Sequence, residues 1–483
     1  MTELTHHDGA PTFAVVGHPN KGKSSIVATL ARKGSVKIAP RPGTTTTADH
    51  FPVGVEGQSL YTLIDTPGFE NARRALAWMR EHDTSADQRN EVVRRFMREH
   101  ANDASFRNEV ELLGPIVAGA GVLYVVDGSV PYSDEYEAEM EILRWTGQPR
   151  MALINPIGQA DFIDSWRNAL DQYFSIVRVF NAVTAAFDKH VDLLRAFGEL
   201  RQAWAEPMGR AVKALEQDRA DKRLRSARKL AESLADMLTL TESKSLSRDE
   251  PSEPHREPLQ DALRGKLRQF ERRARREVEL VYDHAGLEHE SNATSEDHEL
   301  LKGDLFSETA WILFGLQKRH LIVAGVAGGA ATGGVVDASV GGASVLFGTL
   351  IGALVGGGLG WYSAGRVAKI PTKSRWLGGV LGGKRLTCGP IQNVNFPFVV
   401  LGRARLHHAL IAGRNHAAQG PIKLRFEEQD AGQLNPLTGE QTRALSRLFA
   451  KLGKTHREGE QVQYLVDQLT AAIDPLLKDH PRQ

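Results

Sequence analysis

Gly17-His-Pro-Asn-Lys-Gly22-Lys23-Ser24 sets two glycines, a lysine and a hydroxyl at the spacing that wraps a polyphosphate. In a G-x-x-x-x-G-K-S run the glycines let backbone N–H groups turn inward around phosphates. The lysine reaches the β- and γ-phosphates, and the serine hydroxyl takes a place on Mg²⁺. Lys23 and Ser24 are therefore candidate phosphate and metal ligands. His18, Pro19, Asn20 and Lys21 line the loop between the glycines, and Ser25 follows it. "RPGTTTT" at 41–47 is a polar stretch suited to a switch loop, with Thr45 the candidate to coordinate Mg²⁺ when a γ-phosphate is present. "SLYTLIDTPG" at 59–68 ends in Asp65-Thr-Pro-Gly68. Asp65 is a candidate Mg²⁺ carboxylate, and the Gly68 N–H a candidate γ-phosphate sensor. The chemistry these residues suit is hydrolysis of a nucleoside triphosphate, with Lys23, Thr45 and Gly68 around the γ-phosphate.

Such residues need a sheet edge to hold them. "TFAVVG" at 12–17 is a short buried strand by pattern and leads straight into the glycine loop and the helical "SIVATLARKG". Further strands are expected at 59–68, 121–129, 150–158 and 174–182, with helical patterns between them. That alternation predicts an α/β fold: a mostly parallel sheet with helices on both faces, over residues 11–205. Between 70 and 118 there is sequence enough for two or three helices where one is expected, and Val92, Val93, Phe96 and Met97 form an apolar helical face there. This insertion reads as an extra helical wall or as a lid moved by the 65–68 segment.

The set "GHPNKGKSS", "PGTTTT" and "DTPG" resembles the Era/TrmE-like branch of translation-factor-related P-loop GTPases, over about residues 11–205. The resemblance implies GTP hydrolysis with Mg²⁺. Phe69 stands where other small GTPases keep a water-orienting glutamine. Asn20 matches the loop asparagine that helps hold K⁺ in potassium-activated relatives, where the cation supplies charge beside the phosphates. The guanine-reading loop departs from the branch. Asn-Lys-x-Asp is expected, and the chain has Asn155-Pro156-Ile157-Gly158. Asn181-Ala182 stands where a short serine–alanine base loop usually sits. Without the aspartate much guanine selectivity should go, so GTP and less selective nucleotide use both remain open. Asp161 lies three residues beyond, where it either substitutes or opens the next helix. A homodimer through the GTPase domain is a further open expectation.

The chain of 483 residues is 41% hydrophobic and 25% charged with net charge +1, so it is too long for one core and has no global pull toward nucleic acid or anionic lipid. Cys388 is the single cysteine and the N-terminus shows no secretory pattern, so a cytoplasmic location is expected. Pro207 is read as closing the nucleotide module. Residues 206–300 read as helical, with "TESKSLSRDEPSEPHREP" marking a linker over 241–258. Leu263, Leu267, Phe270, Ala274, Val278 and Val281 line one side of the helix that follows, and its basic run Arg264–Arg276 is a solvated face or an anionic contact.

Residues 301–375 read as a glycine-rich apolar helical hairpin. Leu321–Val336 is uncharged but spans only about 24 Å as helix. Asp337 interrupts, and Ala338–Tyr362 is long enough for a hydrocarbon core of ~30 Å. Gly348, Gly352, Gly356 and Gly360 recur every fourth residue, a spacing that lets helix backbones approach closely. Basic residues flank both outer ends, which would keep both ends at the inner face of the cytoplasmic membrane. Lipid contact through 321–362 and burial among C-terminal helices are both open. Residues 376–483 read as mixed and mainly helical, with "FPFVVL" strand-like. His407 and His408, being adjacent, make a poor metal pair. The whole resembles a group of bacterial GTPases whose C-terminal domain has no assigned function. The main reading is a GTP switch coupled to a membrane-associated or helix-packing C-terminal region. The alternative is a soluble GTPase of ribosome or RNA assembly or tRNA modification, less favoured because no RNA-binding module is evident.

Overall fold

The computed structural model describes residues 10–31, 48–55, 58–83, 85–284, 305, 306, 314, 371–376, 383–414, 436–455 and 459–478. Thr45 and the glycine-spaced stretch 321–362 lie outside the described residues. The chain divides into two compact units, one built on residues 1–220 and the other on 221–412 and 421–482.

The first unit is an α/β sandwich. Its strands are β1 (Thr12–Val16), β2 (Asp49–Val55), β3 (Gln58–Asp65), β4 (Gly121–Val126), β5 (Arg150–Ile154) and β6 (Ile176–Val179). They lie in the order β2-β3-β1-β4-β5-β6, with β2 antiparallel to β3 and every other pair parallel. Val15 pairs with Asp65 and Val16 with Tyr124, so β1, β3 and β4 end at one edge of the sheet. In open parallel sheets that carboxyl edge is where ligands bind.

Helices α1 (Lys23–Ala31), α2 (Ala72–Glu81), α3 (Arg89–Glu99), α4 (Arg107–Val117), α5 (Glu135–Trp145), α6 (Ile163–Leu170), α7 (Phe187–Glu199) and α8 (Gln202–Thr239) cover both faces. Alternate β1 residues show why. Phe13 and Val15 join Ile26, Leu194 and Phe197 in one core, while Ala14 and Val16 join Met79, Phe96, Leu112 and Trp166 in the other. The insertion contains α2, α3 and α4, and Val92, Val93 and Phe96 are its buried face.

β2 has no counterpart among the expected strands. Pro52 and Gly54 break its alternation, and Pro is tolerated because β2 is the edge strand. Pro207 does not end a helix: it is the sixth residue of α8, where the lost N–H removes one bond from a helix of 38 residues.

The second unit is mainly helical, with a small antiparallel sheet. Strands β7 (Glu242–Leu246), β8 (Thr372–Trp376) and β9 (Lys384–Cys388) lie in the order β7-β9-β8. α9 (Arg256–Val281), α10 (Phe396–Ala412), α11 (Gly439–Leu452) and α12 (Glu460–Ile473) complete it. Leu230, Leu234, Leu263, Leu267, Val278, Leu386, Phe396, Val399, Phe449 and Leu469 form its core.

Two readings are corrected here. The stretch at 241–258 contains β7, a short 3₁₀ turn at Glu253–His255 and the start of α9. Only Leu246 of β7 is buried, so this edge strand has the composition of a loop. "FPFVVL" is the first part of α10, with Pro397 in the first helical turn, where its missing N–H costs nothing. α10 is buried nearly all round and lacks the amphipathic period that would mark it as helix. No helix among the described residues is long and apolar enough to cross a membrane.

Candidate functional site

The glycine loop leaves β1 in a conformation that only glycine holds cheaply. Gly17 has φ +139°, and a Cβ there would lie 2.4 Å from the Val125 carbonyl oxygen. Gly22 has φ +85°, and its added Cβ would lie 2.3 Å from Asn155 Nδ2. Asn20, between them, has φ +62° and is exposed. The loop therefore curls against β4 and the end of β5, with no room for side chains on its inner side.

Lys23 opens α1 and points back along the loop. Its Nζ donates to Gly17 O at 3.2 Å and to His18 O at 3.1 Å. Burial lowers its pKa from 10.5 to about 8, against the opposing pull of Asp65 and Glu139. A buried ammonium whose hydrogen bonds among the described residues go to two carbonyls is poised for a stronger acceptor, and phosphate oxygens are such acceptors.

The neighbouring Ser24 Oγ donates to Asp65 Oδ2 at 2.7 Å. Asp65 ends β3 and is buried. A hydroxyl and a carboxylate side by side are hard oxygen donors, the set Mg²⁺ takes, so the residues present fit that ion. Thr66 Oγ1 donates to Val15 O at 2.8 Å and ties the following turn to β1. That turn brings Gly68 against Pro19, where an added Cβ would lie 2.7 Å away. Phe69 is 1% exposed and packed in the core with Ala14, Val16 and Met79.

On the base side, Asn155 Nδ2 donates to Lys21 O at 3.3 Å, and Asn155 Oδ1 accepts from Ala182 N at 3.2 Å. Asn181 Nδ2 donates to Pro156 O at 2.7 Å. Gly17, His18, Pro19, Asn20, Lys21, Gly22, Lys23, Ser24, Asp65, Gly68, Asn155, Asn181 and Ala182 thus fall at the strand ends, loops and helix start along one edge of the sheet. Ser25 lies in the first turn of α1, and Asp161 is exposed ahead of α6.

Three carboxylates went unnoticed in the sequence. Glu139 is 2% exposed, accepts from His18 Nδ1 at 2.9 Å and from Tyr124 Oη at 2.8 Å, and so anchors the phosphate loop to α5. Burial pushes its carboxyl above the usual range, against His18, Tyr124 and Lys23. The available signal was its place on the apolar side of α5, beside Tyr136, Met140 and Leu143. Glu109 and Glu111, on α4, are the other two.

Residues 12–155 match the family described as 50S ribosome-binding GTPase. Residues 167–472 match the family described as Domain of unknown function (DUF3482). The chain belongs to the DUF3482 family. GTPase Der of Azoarcus sp. (strain BH72) is 29% identical over 162 residues, 34% of this chain and 30% of that protein. Probable GTP-binding protein EngB of Oleidesulfovibrio alaskensis is 41% identical over 69 residues, 14% of this chain and 30% of that protein. The chain thus spans 30% of the length of each of these two relatives. Among solved structures, Aquifex aeolicus Era bound to GDP·AlF4⁻ aligns with TM-score 0.28 at 18% identity, over 57% of this chain and 90% of that one. The first unit of this DUF3482 protein has the P-loop GTPase fold, and its residues 12–155 carry the GTPase family match.

The insertion of this DUF3482 member grips the two segments that flank the phosphate end. Glu109 Oε1 accepts from Glu70 N at 2.8 Å and Asn71 N at 2.6 Å, capping α2 just after Gly68. Glu111 Oε1 accepts from Ala48 N at 2.8 Å, at the start of β2. Glu109→Ala should speed hydrogen exchange of the Glu70 and Asn71 amides about tenfold to a hundredfold, since bonds to a charged acceptor are lost. Unchanged exchange at both amides would show that α4 does not hold this segment.

Proposed function

We infer that the chain binds GTP with Mg²⁺ and hydrolyses its γ-phosphate, and that nucleotide state is passed from the 65–71 segment to the helices that grip it. The observation that carries this reading is Lys23 Nζ held by the Gly17 and His18 carbonyls, beside the 2.7 Å Ser24–Asp65 bond. Lys23 would exchange its carbonyls for phosphate oxygens. Ser24 and Asp65 would hold Mg²⁺, with Thr45 joining from outside the described residues. Bound there, Mg²⁺ supplies positive charge to the phosphate oxygens. The Gly68 N–H would report the γ-phosphate.

Phe69 leaves no side chain to orient water, so charge at the phosphates must do more. Asn20, exposed and with no hydrogen bond among the described residues, offers an amide oxygen to K⁺. Phosphate release from GTP should require Mg²⁺, stop in EDTA, and run faster in KCl than in NaCl. Equal rates in both salts, unaffected by Asn20→Ala, would remove the K⁺ part. No release in Mg²⁺ would remove hydrolysis.

The second unit is the candidate output. The apolar stretch 321–362 is the segment that would meet lipid, a reading supported by its composition and basic flanks. Flotation of the full chain with anionic vesicles, compared with a chain lacking 321–362, tests it. Flotation of neither would leave the stretch a packing element.

A further inference from the structure

We propose that the base end of this site holds a purine by stacking on apolar side chains and does not read the guanine edge, so that ATP and GTP are both ligands. This rests on the nucleotide-binding reading above and names the substrate class of that same site.

Three polar side chains of the two base-side loops and the strand end beside them, Asn155, Asn181 and Asp127, are engaged by the protein, while Gln159, Asp161 and Thr184 are exposed. Asn155 is 4% exposed and spends both ends of its amide on protein, Nδ2 on Lys21 O and Oδ1 on Ala182 N. Asn181 does the same, with Nδ2 on Pro156 O and Oδ1 accepting from Val183 N at 2.9 Å and Thr184 N at 3.0 Å. Asp127, the buried carboxylate at the end of β4, has Oδ1 engaged by Ser129 N at 2.9 Å, Ser129 Oγ at 2.5 Å and Ile157 N at 3.4 Å. Thr29 Oγ1 donates to Ala182 O at 2.7 Å and fixes the second loop to α1. These bonds weld the two loops together and to the phosphate loop, so the platform is formed before any ligand arrives.

Next to the phosphate loop, each of the two loops presents one large apolar side chain outward. Ile157 is 57% exposed and Val183 is 49% exposed. Among the described residues of the first unit, no other large apolar side chain is left exposed. Ile157 Cδ1 comes within 3.6 Å of where a Gly22 Cβ would stand, so it reaches the end of the phosphate loop. An apolar surface beside a phosphate cradle suits the face of a base, and every base has such a face. Discrimination by hydrogen bonds at the ring edge needs a polar group aimed at that edge, and discrimination falls when none is there.

The test is competition of a fluorescent GDP analogue from the full chain in Mg²⁺ by GTP, ATP and CTP. GTP and ATP should compete within about threefold of each other, and CTP should be weaker by about tenfold because its single ring covers less apolar surface. Ile157→Ser should weaken GTP and ATP alike. Gly158→Asp supplies the missing edge reader: a carboxylate accepts from the guanine N–H groups and repels the adenine ring nitrogen. An added Cβ at Gly158 meets only Ser129 side-chain atoms, the nearest at 3.4 Å, which is ordinary contact. This variant should favour GTP over ATP by about tenfold or more. A wild-type preference for GTP of about a hundredfold, a size that needs an edge reader, overturns the inference and leaves nucleotide binding intact. Failure of all three nucleotides to compete overturns the nucleotide-binding reading itself.

Discussion

Lys23→Ala should lower nucleotide affinity by about a hundredfold or more and hydrolysis by about a further 10²–10³, because one charged donor to phosphate and to the developing charge is removed. The ammonium is the one cation that the phosphate loop itself turns inward, toward the Gly17 and His18 carbonyls. Titration of wild type and variant with GTP checks this, and equal affinities would contradict it.

The same side chain gives two pH dependences of opposite sign. Its pKa is about 8 in the folded chain against 10.5 when solvated. Between those values the unfolded chain keeps a proton that the folded chain has shed, so this group makes stability rise with pH and withdraws that gain as pH falls to 8. Phosphate binding needs the ammonium, so affinity should fall above pH 8, approaching about tenfold per unit. Lys23→Met should abolish both trends, and a wild-type affinity flat from pH 7 to 10 would contradict the assignment.

Gly17→Ala should destabilise the first unit by about 3 kcal/mol or more and abolish nucleotide binding, through a backbone reserved for glycine and a clash with a strand. The added Cβ would press on the Val125 carbonyl at 2.4 Å, and β4 is central and cannot yield. Gly158→Ala is the control, since its Cβ meets nothing closer than 3.4 Å. In a thermal melt Gly17→Ala should lose about 6–12 °C and Gly158→Ala almost nothing. Equal melting temperatures would mean that the loop does not depend on the Gly17 conformation.

The phosphate end was legible in the sequence because its determinants are local. Gly17, Gly22, Lys23 and Ser24 fall within eight residues, between a strand and a helix that the pattern also announces. Asp65 and Gly68 follow a strand with equally plain apolar composition. Glu139 and Glu109 were not legible in that way. Each is a single carboxylate whose meaning comes from partners at long range, His18 across 121 residues and Glu70 across 39.

The same contrast separates the two units. The strands β1, β4 and β5 of the first are buried on both faces and read as apolar runs, whereas β2, interrupted by Pro52 and Gly54, and the polar β7 are edge strands that read as loop. The buried α10 read as strand because a helix covered on all sides carries no period. On the base side the sequence showed what was missing, Lys and Asp after Asn155. It took the structure to show that the remaining amides are engaged and that Ile157 and Val183 face outward.

The central claim, that the first unit is a Mg²⁺-dependent nucleotide switch, is tested most directly by calorimetric titration of the purified full chain. GTP and its non-hydrolysable analogue would be titrated in Mg²⁺ and in EDTA, beside Lys23→Ala. One nucleotide per chain should bind in Mg²⁺, more weakly in EDTA, and not measurably to the variant. No heat from GTP or ATP with wild-type protein in Mg²⁺, from a chain shown folded by its thermal melt, would contradict the account.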